Sequence, residues 1–230
     1  IVIDDYSEDQ TIRILKQVQN ENKKLKIFQR RLSNDFASQR NFGMEKASGE
    51  WLLYIDADER VTPELREEIL RYAQDDPSAG SGPSAFSLRR KNFYFGNHEW
   101  PKIEKLERLF KKEKLEGWYG KVHESPKILG EIGELDGFLL HHTHRDLSSM
   151  LSKTLEWSKI EAQLRFDAHH PKMAVWRFPR VMATAFYNSY ITQSGYKVGV
   201  VGLMESIFQA FSAFITYARL WELQNKETIK

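Results

Sequence analysis

The chain has 230 residues, of which 34 are lysine or arginine and 32 are aspartate or glutamate. This near balance of charge lacks the basic excess of a nucleic-acid-binding surface, so we expect no nucleic-acid partner. Cysteine is absent, which excludes disulfides and thiolate metal sites and fits a reducing compartment. The length suffices for one large domain, or for a domain with an appendage.

The chain begins with an apolar run, residues 1–3, that leads directly into Asp4 and Asp5. This pattern predicts a strand followed by an acidic loop. Ser7 and Gln10 have the spacing of a capping box, so we expect a helix to open there. The run has no initiator methionine and no polar leader before it, and we expect that a preceding strand and helix are missing.

A second strand and helix are predicted next. Residues 27–29 are typical of a short strand, and Asp35 is placed to cap a helix over residues 36–47, which Gly49 then stops. Strands that alternate with helices predict an α/β fold with a mostly parallel sheet. Such sheets bind ligands at the carboxyl ends of their strands, where the acidic residues lie.

The most informative motif is the apolar run of residues 51–55, because it enters Asp56 and Asp58. Ionised carboxylates are costly to desolvate unless a cation or hydrogen bonds compensate them. Hard cations such as Mg²⁺ or Mn²⁺ take oxygen ligands and leave room for phosphate. The motif therefore predicts a metal-bound diphosphate, and its alternative is a strand end in a solvated turn.

The middle of the chain continues the alternation. Thr62 and Pro63 predict the cap and first turn of a short helix, and residues 85–88 and 106–110 predict strands. Residues 92–100 concentrate aromatic side chains with polar edges. Such rings either stack on sugar faces or form local core.

Several features together resemble the family-2 glycosyltransferases with the GT-A fold, and within them the bacterial lipopolysaccharide-core glucosyltransferase-like branch. They are the acidic loop at Asp4, the helix sequence of residues 36–43, the Gly-Glu-Trp of residues 49–51, the strand entering Asp56 and the sequence of residues 118–124. The resemblance reaches from the first residue to about residue 153, and the chain departs from the family in lacking its opening strand.

The resemblance implies a GT-A catalytic domain over residues 1–145 and a C-terminal helical region over residues 146–230. It also implies an inverting, metal-dependent transfer of a sugar from a nucleotide-diphosphate donor, expected to be a UDP-sugar. The acceptor would be a glycan or a lipid-linked molecule in lipopolysaccharide synthesis. The location implied is cytoplasmic, either free or at the inner face of the bacterial cytoplasmic membrane.

Site residues follow from the same resemblance. Asp4 or Asp5, with Asp5 preferred, would contact the nucleotide base and ribose, since a carboxylate accepts well from N–H and hydroxyl groups. Arg40 would also face the nucleotide, unless it is a surface arginine of an amphipathic helix. Asp56 would hold the ribose, and Asp58 would be the direct ligand of Mg²⁺ or Mn²⁺.

An inverting transfer also needs a base to take the proton from the acceptor hydroxyl. Glu124 is assigned this role with His123 as its neighbour, while Glu131 and Asp136 are competing carboxylates. His141, the first of three clustered histidines after an apolar run, is assigned as a further metal ligand. The alternative is that the cluster is only the polar end of a strand.

The C-terminal part has a different pattern. Asp146 is placed to cap a long helix ending near Asp167, and two further helical stretches follow with a kink near residues 195–202. An apolar helical stripe comprises Val200, Met204, Ile207, Phe211, Phe214, Ala218 and Trp221.

The stripe has two interpretations. Residues 206–218 are the uncharged stretch between Glu205 and Arg219, which is too short for a bilayer span, so we expect no transmembrane helix. The stripe then either packs on the catalytic domain or lies in a membrane interface. Basic residues that would assist the interface are Arg177, Arg180 and Lys197.

Two other classes of function remain open. A nucleotidyltransferase shares strand-end carboxylates and an α/β fold, but would usually show a Gly-rich, basic loop near its N-terminus. A non-catalytic membrane-associated scaffold would tolerate the loss of Asp58 and Glu124.

Overall fold

The computed structural model describes residues 1–33, 35–74, 82–120 and 124–226. The helices are α1 (Thr11–Glu21), α2 (Phe36–Lys46), α3 (Pro63–Gln74), α4 (Leu147–Asp167), α5 (Arg177–Tyr187) and α6 (Gly199–Gln224). The strands are β1 (Val2–Asp4), β2 (Ile27–Gln29), β3 (Trp51–Leu53), β4 (Glu59–Val61), β5 (Ala85–Tyr94), β6 (His98–Glu99), β7 (Glu104–Lys111), β8 (Leu115–Tyr119), β9 (Ser125–Ile128) and β10 (Ile132–His142).

The chain divides into two compact units. The first unit consists of Ile1–Ile55, Arg66–Leu88 and Leu106–Asp136. The second unit consists of Asp56–Leu65, Arg89–Lys105 and Gly137–Lys230. The sequence analysis predicted a catalytic domain over residues 1–145 and a helical region over residues 146–230. These bounds differ from the two compact units, and they stay a prediction.

The first unit opens with β1 and β2, which pair in parallel with Val2 opposite Ile27. The helix between them, α1, begins at Thr11 with no side-chain cap. The capping-box prediction was therefore wrong. Ser7 donates its backbone N–H to Asp4 Oδ2 over 3.0 Å, and its hydroxyl also donates to this carboxylate. Ser7 stabilises the acidic turn, and it is therefore not a helix cap.

The second helix forms where the sequence predicts it. The Asp35 side chain accepts a hydrogen bond from Ser38 N over 2.8 Å, which caps α2. The helix ends at Lys46, before Gly49. The buried core of this unit consists of Ala37, Leu52, Ala85, Phe110, Leu115 and Trp118.

The larger sheet has the strand order β3-β7-β5-β10-β4, with β6 paired to β5. The α/β class is confirmed, but the strand direction is not mostly parallel: β3/β7 and β4/β10 are antiparallel. The physical reason lies in the connections. Strand–helix alternation ends at α3, and no α-helix lies between β5 and β10 in the described part of the chain, so the crossover helices that parallel neighbours need are absent there.

The predicted helix starts in the second half are also confirmed. Thr62 Oγ1 accepts from Leu65 N over 3.3 Å at the start of α3. Asp146 forms a capping box with Ser149, whose N–H reaches Asp146 Oδ1 over 2.8 Å. The resulting helix, α4, ends at Asp167 as predicted.

The last two helices are joined by irregular turns. A π-helical turn at Asn188–Thr192 and a 3₁₀ turn at Gly195–Val198 separate α5 from α6, which confirms the predicted kink. Gly202 makes this junction possible, because a Cβ atom there would lie 1.8 Å from the carbonyl oxygen of Gly195. α6 packs against α4 and α5.

α6 is longer and more apolar than the uncharged stretch suggested. The segment Gly195–Gln224 has a mean hydropathy of 1.7 over its best window and qualifies as a membrane span by length and composition. The prediction from length was wrong, because it treated Glu205 as the end of the apolar segment. Glu205 is the one charged residue of α6 before Arg219, and it is 1 % exposed.

Candidate active site

The acidic turn after β1 is held by hydrogen bonds inside the first unit. Asp4 is 5 % exposed and accepts from Ser7 and from Gln29 Nε2, which lies 3.2 Å away. Burial acts to raise the pKa of the Asp4 carboxyl, but the hydrogen bonds from Ser7 and Gln29 outweigh it and lower that pKa. Asp4 therefore acts mainly as an internal anchor.

Asp5 differs from Asp4 in its exposure. Its side chain is exposed, and its Oδ1 accepts from Leu32 N over 2.9 Å. A carboxylate in this position fixes the loop after β2 and still presents an oxygen to solvent. Between the two acidic residues, Asp5 is the better placed to meet a ligand.

The predicted base and the predicted nucleotide arginine form an ion pair within the first unit. Arg40 Nε, on α2, donates to Glu124 Oε1 over 2.9 Å, and the two side chains are 12 % and 14 % exposed. The Arg40 guanidinium also lies 4.8 Å from the Trp118 ring and 5.7 Å from the Tyr54 ring. The Arg40 side chain is thus largely buried, so Arg40 is not a surface arginine.

Aromatic side chains close one side of this ion pair. Tyr54 and Trp118 make an edge contact with their ring centroids 5.1 Å apart. Burial raises the pKa of Tyr54, against smaller opposing effects of Trp118 and Arg40. His123, the predicted neighbour of Glu124, lies outside the described residues.

A cavity of about 420 Å³ lies beside α2 in the same unit. Its lining residues are Arg30, Asp35, Ala37, Ser38, Asn41, Phe42, Glu45, Trp118, Tyr119 and Gly120. Asn41 connects α2 to β8, since its amide exchanges hydrogen bonds with the backbone of Trp118 over 2.8 and 2.9 Å. This connection fixes the strand that leads towards Glu124.

In the second unit, Glu59 organises the turn that carries Asp56 and Asp58. Glu59 Oε2 accepts from Asp56 N over 2.9 Å, and Glu59 Oε1 accepts from Arg90 Nη1 over 2.9 Å. The Glu59 side chain is fully buried. A buried carboxylate of this kind is stable only when it is paired, so Arg90 is required for the turn.

Arg90 is shared between two carboxylates. Its Nη2 lies 2.6 Å from Glu104 Oε2, and its Nε lies 3.0 Å from the same oxygen. Burial acts to raise the pKa of Glu104, but Arg90 outweighs it and lowers that pKa. The sequence analysis missed this network, although three charged residues at the ends of apolar runs were a signal for it.

Asp58 and His141 approach each other in the second unit. Asp58 Oδ2 lies 3.4 Å from His141 Nε2 and 4.0 Å from Lys153 Nζ. The hydrogen bond from His141 lowers the pKa of Asp58 to about 2. Burial opposes this shift, whereas the charges of His141 and Lys153 add to it. The carboxylate is therefore ionised throughout the physiological range.

Asn92 orients the histidine. Its Oδ1 lies 2.7 Å from His141 Nδ1, and Asn92 is 5 % exposed. With Nδ1 donating to this oxygen, Nε2 faces Asp58, where it can donate a proton to the carboxylate or offer a lone pair to a metal ion. The sequence analysis placed Asn92 in the aromatic segment of residues 92–100 and missed this role, because Asn92 follows three basic residues and nothing in the local sequence marks it as buried.

Only one of the three clustered histidines reaches Asp58 through its side chain. His142 stacks on Phe93 with the centroids 5.1 Å apart, while its backbone N–H bonds to Asp58 O over 3.1 Å. His144 Nδ1 lies 2.9 Å from Glu205 Oε2. These contacts leave His141 as the candidate metal ligand, as the sequence analysis preferred.

The chain can now be compared with known proteins. Residues 1–128 match the model of glycosyl transferase family 2. The chain belongs to glycosyltransferase family 2. The fold of this glycosyltransferase is accordingly the α/β GT-A class that the sequence resemblance implied, followed by a C-terminal helical extension.

The chain is also similar to individual proteins. The glycosyltransferase is 26 % identical over 198 residues to the lipopolysaccharide core biosynthesis glycosyltransferase LpsC of Rhizobium meliloti, covering 81 % of this chain and 69 % of LpsC. It is 23 % identical to an uncharacterized glycosyltransferase of Rickettsia prowazekii, with 98 % and 78 % covered. A crystal structure of S. aureus TarS 1-349 in complex with UDP aligns with a TM-score of 0.39 at 13 % identity, covering 98 % of this chain and 81 % of TarS.

The candidate residues of the glycosyltransferase fall into two groups. Asp4, Asp5, Arg40 and Glu124 belong to the first unit, whereas Asp56, Asp58 and His141 belong to the second. No group of three or more metal-ligating side chains occurs within the described parts of the chain.

Proposed function

We propose that this glycosyltransferase transfers a sugar, with inversion, from a UDP-sugar to a glycan or lipid-linked acceptor in cell-envelope polysaccharide synthesis. The observation that supports it most strongly is the 3.4 Å approach of Asp58 Oδ2, in the turn before β4, to His141 Nε2, near the end of β10. The name of LpsC supports the cell-envelope assignment, since that relative acts in lipopolysaccharide core biosynthesis.

The residues present fit a divalent cation. Octahedral ligands at about 2.1 Å from Mg²⁺ or Mn²⁺ lie about 3 Å apart, close to the separation of the Asp58 and His141 atoms. Asn92 supplies the hydrogen bond that metal-ligating histidines usually make through their other nitrogen. Asp58 and His141 would hold the cation, and diphosphate oxygens and water would complete its coordination.

When bound, the cation would neutralise charge on the departing diphosphate. The protein supplies the remaining parts of the site. Asp5 would accept from the nucleotide base or ribose, and Asp56 would contact the ribose. The buried Glu59 and Arg90 pair holds the Asp56 turn in place, so the carboxylates need not reorganise when the donor binds.

Glu124 would take the proton from the acceptor hydroxyl as that oxygen attacks the anomeric carbon. Arg40 binds Glu124 Oε1 and so fixes the orientation of the carboxylate. The proton would go to Oε2. This assignment gives Arg40 a positioning role towards the base, in addition to its predicted contact with the nucleotide.

Calorimetric titration of UDP with and without Mn²⁺ tests the proposal. We expect binding that depends on Mn²⁺ and that Asp58→Ala removes, because the ionised carboxylate is the main protein ligand. Asp167→Ala, which changes an exposed carboxylate at the end of α4, is the matched control and should bind as the wild type does.

Two results would overturn the proposal. One is an absence of UDP binding by the wild type. The other is UDP binding that is equally strong without Mn²⁺ and in Asp58→Ala. A turnover assay adds the product: glycosyl transfer releases free UDP, whereas nucleotidyl transfer would release pyrophosphate.

A further inference from the structure

The apolar stripe predicted on α6 lies at the surface. Its opposite face is buried and includes Glu205, Ser206 and Phe208, which pack within the second unit. The exposed apolar side chains of α6 are Val200, Leu203, Met204, Ile207, Phe211, Phe214 and Trp221. Such a contiguous set is uncommon on the surface of a soluble monomer and indicates a binding surface.

α5 and the turn after it add aromatic residues to this surface. Trp176 is 60 % exposed and Tyr187 is 61 % exposed. Trp176 directly precedes α5 and Tyr187 is its last residue. α5 packs against α6 through contacts such as Phe178 with Phe214, whose ring centroids are 5.9 Å apart. We name these exposed residues of α5 and α6, together with Tyr196 between the helices, the α5–α6 face.

The charges beside α5 and the turn before α6 are basic, whereas Glu222, next to Trp221 near the end of α6, is exposed and acidic. Between Asp167 and Glu205 the sequence contains no acidic residue, and its basic residues are Lys172, Arg177, Arg180 and Lys197. The Arg180 guanidinium lies 5.8 Å from the Trp176 ring, and Lys197 Nζ lies 6.0 Å from the Tyr196 ring. Apolar and aromatic side chains bordered by cations are typical of helices that bind anionic lipid surfaces.

We propose that the α5–α6 face binds the surface of an anionic lipid bilayer, with α6 lying in the plane of the interface. This inference adds a membrane location to the proposed function. It rests on the proposed function only in taking the acceptor to be lipid-linked. Exposed basic residues would meet anionic headgroups while the apolar side chains enter the acyl boundary. The enzyme would then work where a lipid-linked acceptor is anchored.

The packing of α6 argues for this orientation over a membrane crossing. The buried face of α6 forms hydrogen bonds with other parts of the second unit. Glu205 Oε2 lies 2.9 Å from His144 Nδ1, and Ser206 Oγ lies 2.9 Å from Ser189 Oγ. α4, which packs against α6, presents exposed charges at Lys159 and Glu156. Hydrocarbon on all sides of this bundle would bury those charges, whereas an interface covers only the open face.

Vesicle co-sedimentation tests the proposal with the whole chain. The probes are vesicles of phosphatidylcholine alone and with about one third phosphatidylglycerol. We expect binding to the anionic vesicles only, weakened by added salt. Ile207→Glu should lower that binding at least about tenfold. Ile14→Glu on α1 is the matched control, because both isoleucines are helical and 55 % exposed, and it should bind as the wild type does.

A charge variant keeps the test valid if Ile207→Glu does not fold. Arg180→Gln combined with Lys197→Gln changes two exposed basic side chains and should weaken binding about fivefold for each residue. Circular dichroism and UDP calorimetry check that both variants are folded. Loss of vesicle binding with UDP binding retained supports the proposal.

Three outcomes would overturn the inference. The first is that the wild type does not bind anionic vesicles. The second is that Ile14→Glu and Ile207→Glu lose vesicle binding equally. The third is that light scattering shows a dimer, which Ile207→Glu dissociates while vesicle binding is unchanged. The last result would assign the face to a second copy of the chain. Vesicle binding without any UDP binding would instead contradict the proposed function and leave this inference standing.

Discussion

Arg40 and Glu124 are 84 positions apart in the chain and form a hydrogen-bonded ion pair with Nε and Oε1 separated by 2.9 Å. Both side chains are largely buried, so neither can be removed without leaving an uncompensated charge in a partly dry environment. The pair links the helix α2 to the segment that carries the predicted base. Any change at Glu124 should therefore preserve a hydrogen-bond acceptor for Arg40.

Glu124→Gln is the variant that meets this requirement, because its amide oxygen can still accept from Arg40. We expect the rate of sugar transfer to fall by about 10²–10⁴-fold, since the amide cannot take the acceptor proton. UDP binding should be unchanged by calorimetry. The control variants Glu131→Gln and Asp136→Asn should keep wild-type turnover, and full activity of Glu124→Gln would rule out the assignment.

Asn92→Ala tests the hydrogen bond that orients His141. Loss of the amide oxygen leaves the His141 ring free to rotate, so we expect the affinity for Mn²⁺ in the presence of UDP to fall about 10–100-fold. Electron paramagnetic resonance of Mn²⁺ measures this affinity. Asn97→Ala, at an exposed position near β6, should have no effect. Equal affinity in both variants would show that Asn92 has only a packing role.

The starts of α2 and α4 could be predicted from the sequence because their signals are local. Asp35 and Asp146 cap their helices through bonds to residues three positions away, and such spacing is visible in the sequence. The direction of the larger sheet was not predictable in this way. It depends on which strands meet after α3, and those pairings join distant segments.

The candidate site shows the same limit. Asp58 and His141 were identified from their positions after apolar runs. The roles of Arg90 and Asn92 were missed, because these residues reach Glu59 and His141, respectively, only through tertiary contacts. Ser7 illustrates the opposite error: its spacing fits a helix cap, but the nearby Asp4 carboxylate competes successfully for its donors.

Acid sensitivity is expected of the turn at Asp4. The pKa of Asp4 is lowered from its ordinary value of 3.8 despite burial, through the hydrogen bonds of Ser7 and Gln29. A carboxyl whose pKa is depressed by folding stabilises the protein above its unfolded pKa, and this stability is lost as the pH falls through the lower folded pKa. We expect the free energy of unfolding to decrease below pH 3.8 in part for this reason.

Ser7→Ala should reduce that acid-dependent decrease. At neutral pH it should also lower the free energy of unfolding by about 1 kcal/mol, through the lost side-chain hydrogen bond. Urea denaturation at several pH values measures both effects. Ser48→Ala, at an exposed position after α2, is the control. An identical pH dependence in wild type and Ser7→Ala would contradict this account of Asp4.

Gly202→Ala tests the junction between α5 and α6. Its new Cβ would meet the carbonyl oxygen of Gly195 at 1.8 Å, so the backbone must move. We expect a loss of about 1–3 kcal/mol in the free energy of unfolding. Gly82→Ala should be nearly neutral, since nothing lies within 4 Å of a Cβ there. Scanning calorimetry compares the two, and equal melting temperatures would refute the predicted clash.

The bond from His144 to Glu205 has a practical consequence for gene design. It joins the end of β10 to α6, three residues beyond His141, and Trp100 adds a second connection by donating to Gln193 over 3.0 Å. A shortened gene that stops after β10 would expose Trp100, which is 2 % exposed in the full chain. Its product should aggregate on expression, so the helices must be retained whenever the turn that carries Asp56 and Asp58 is to be produced in native form.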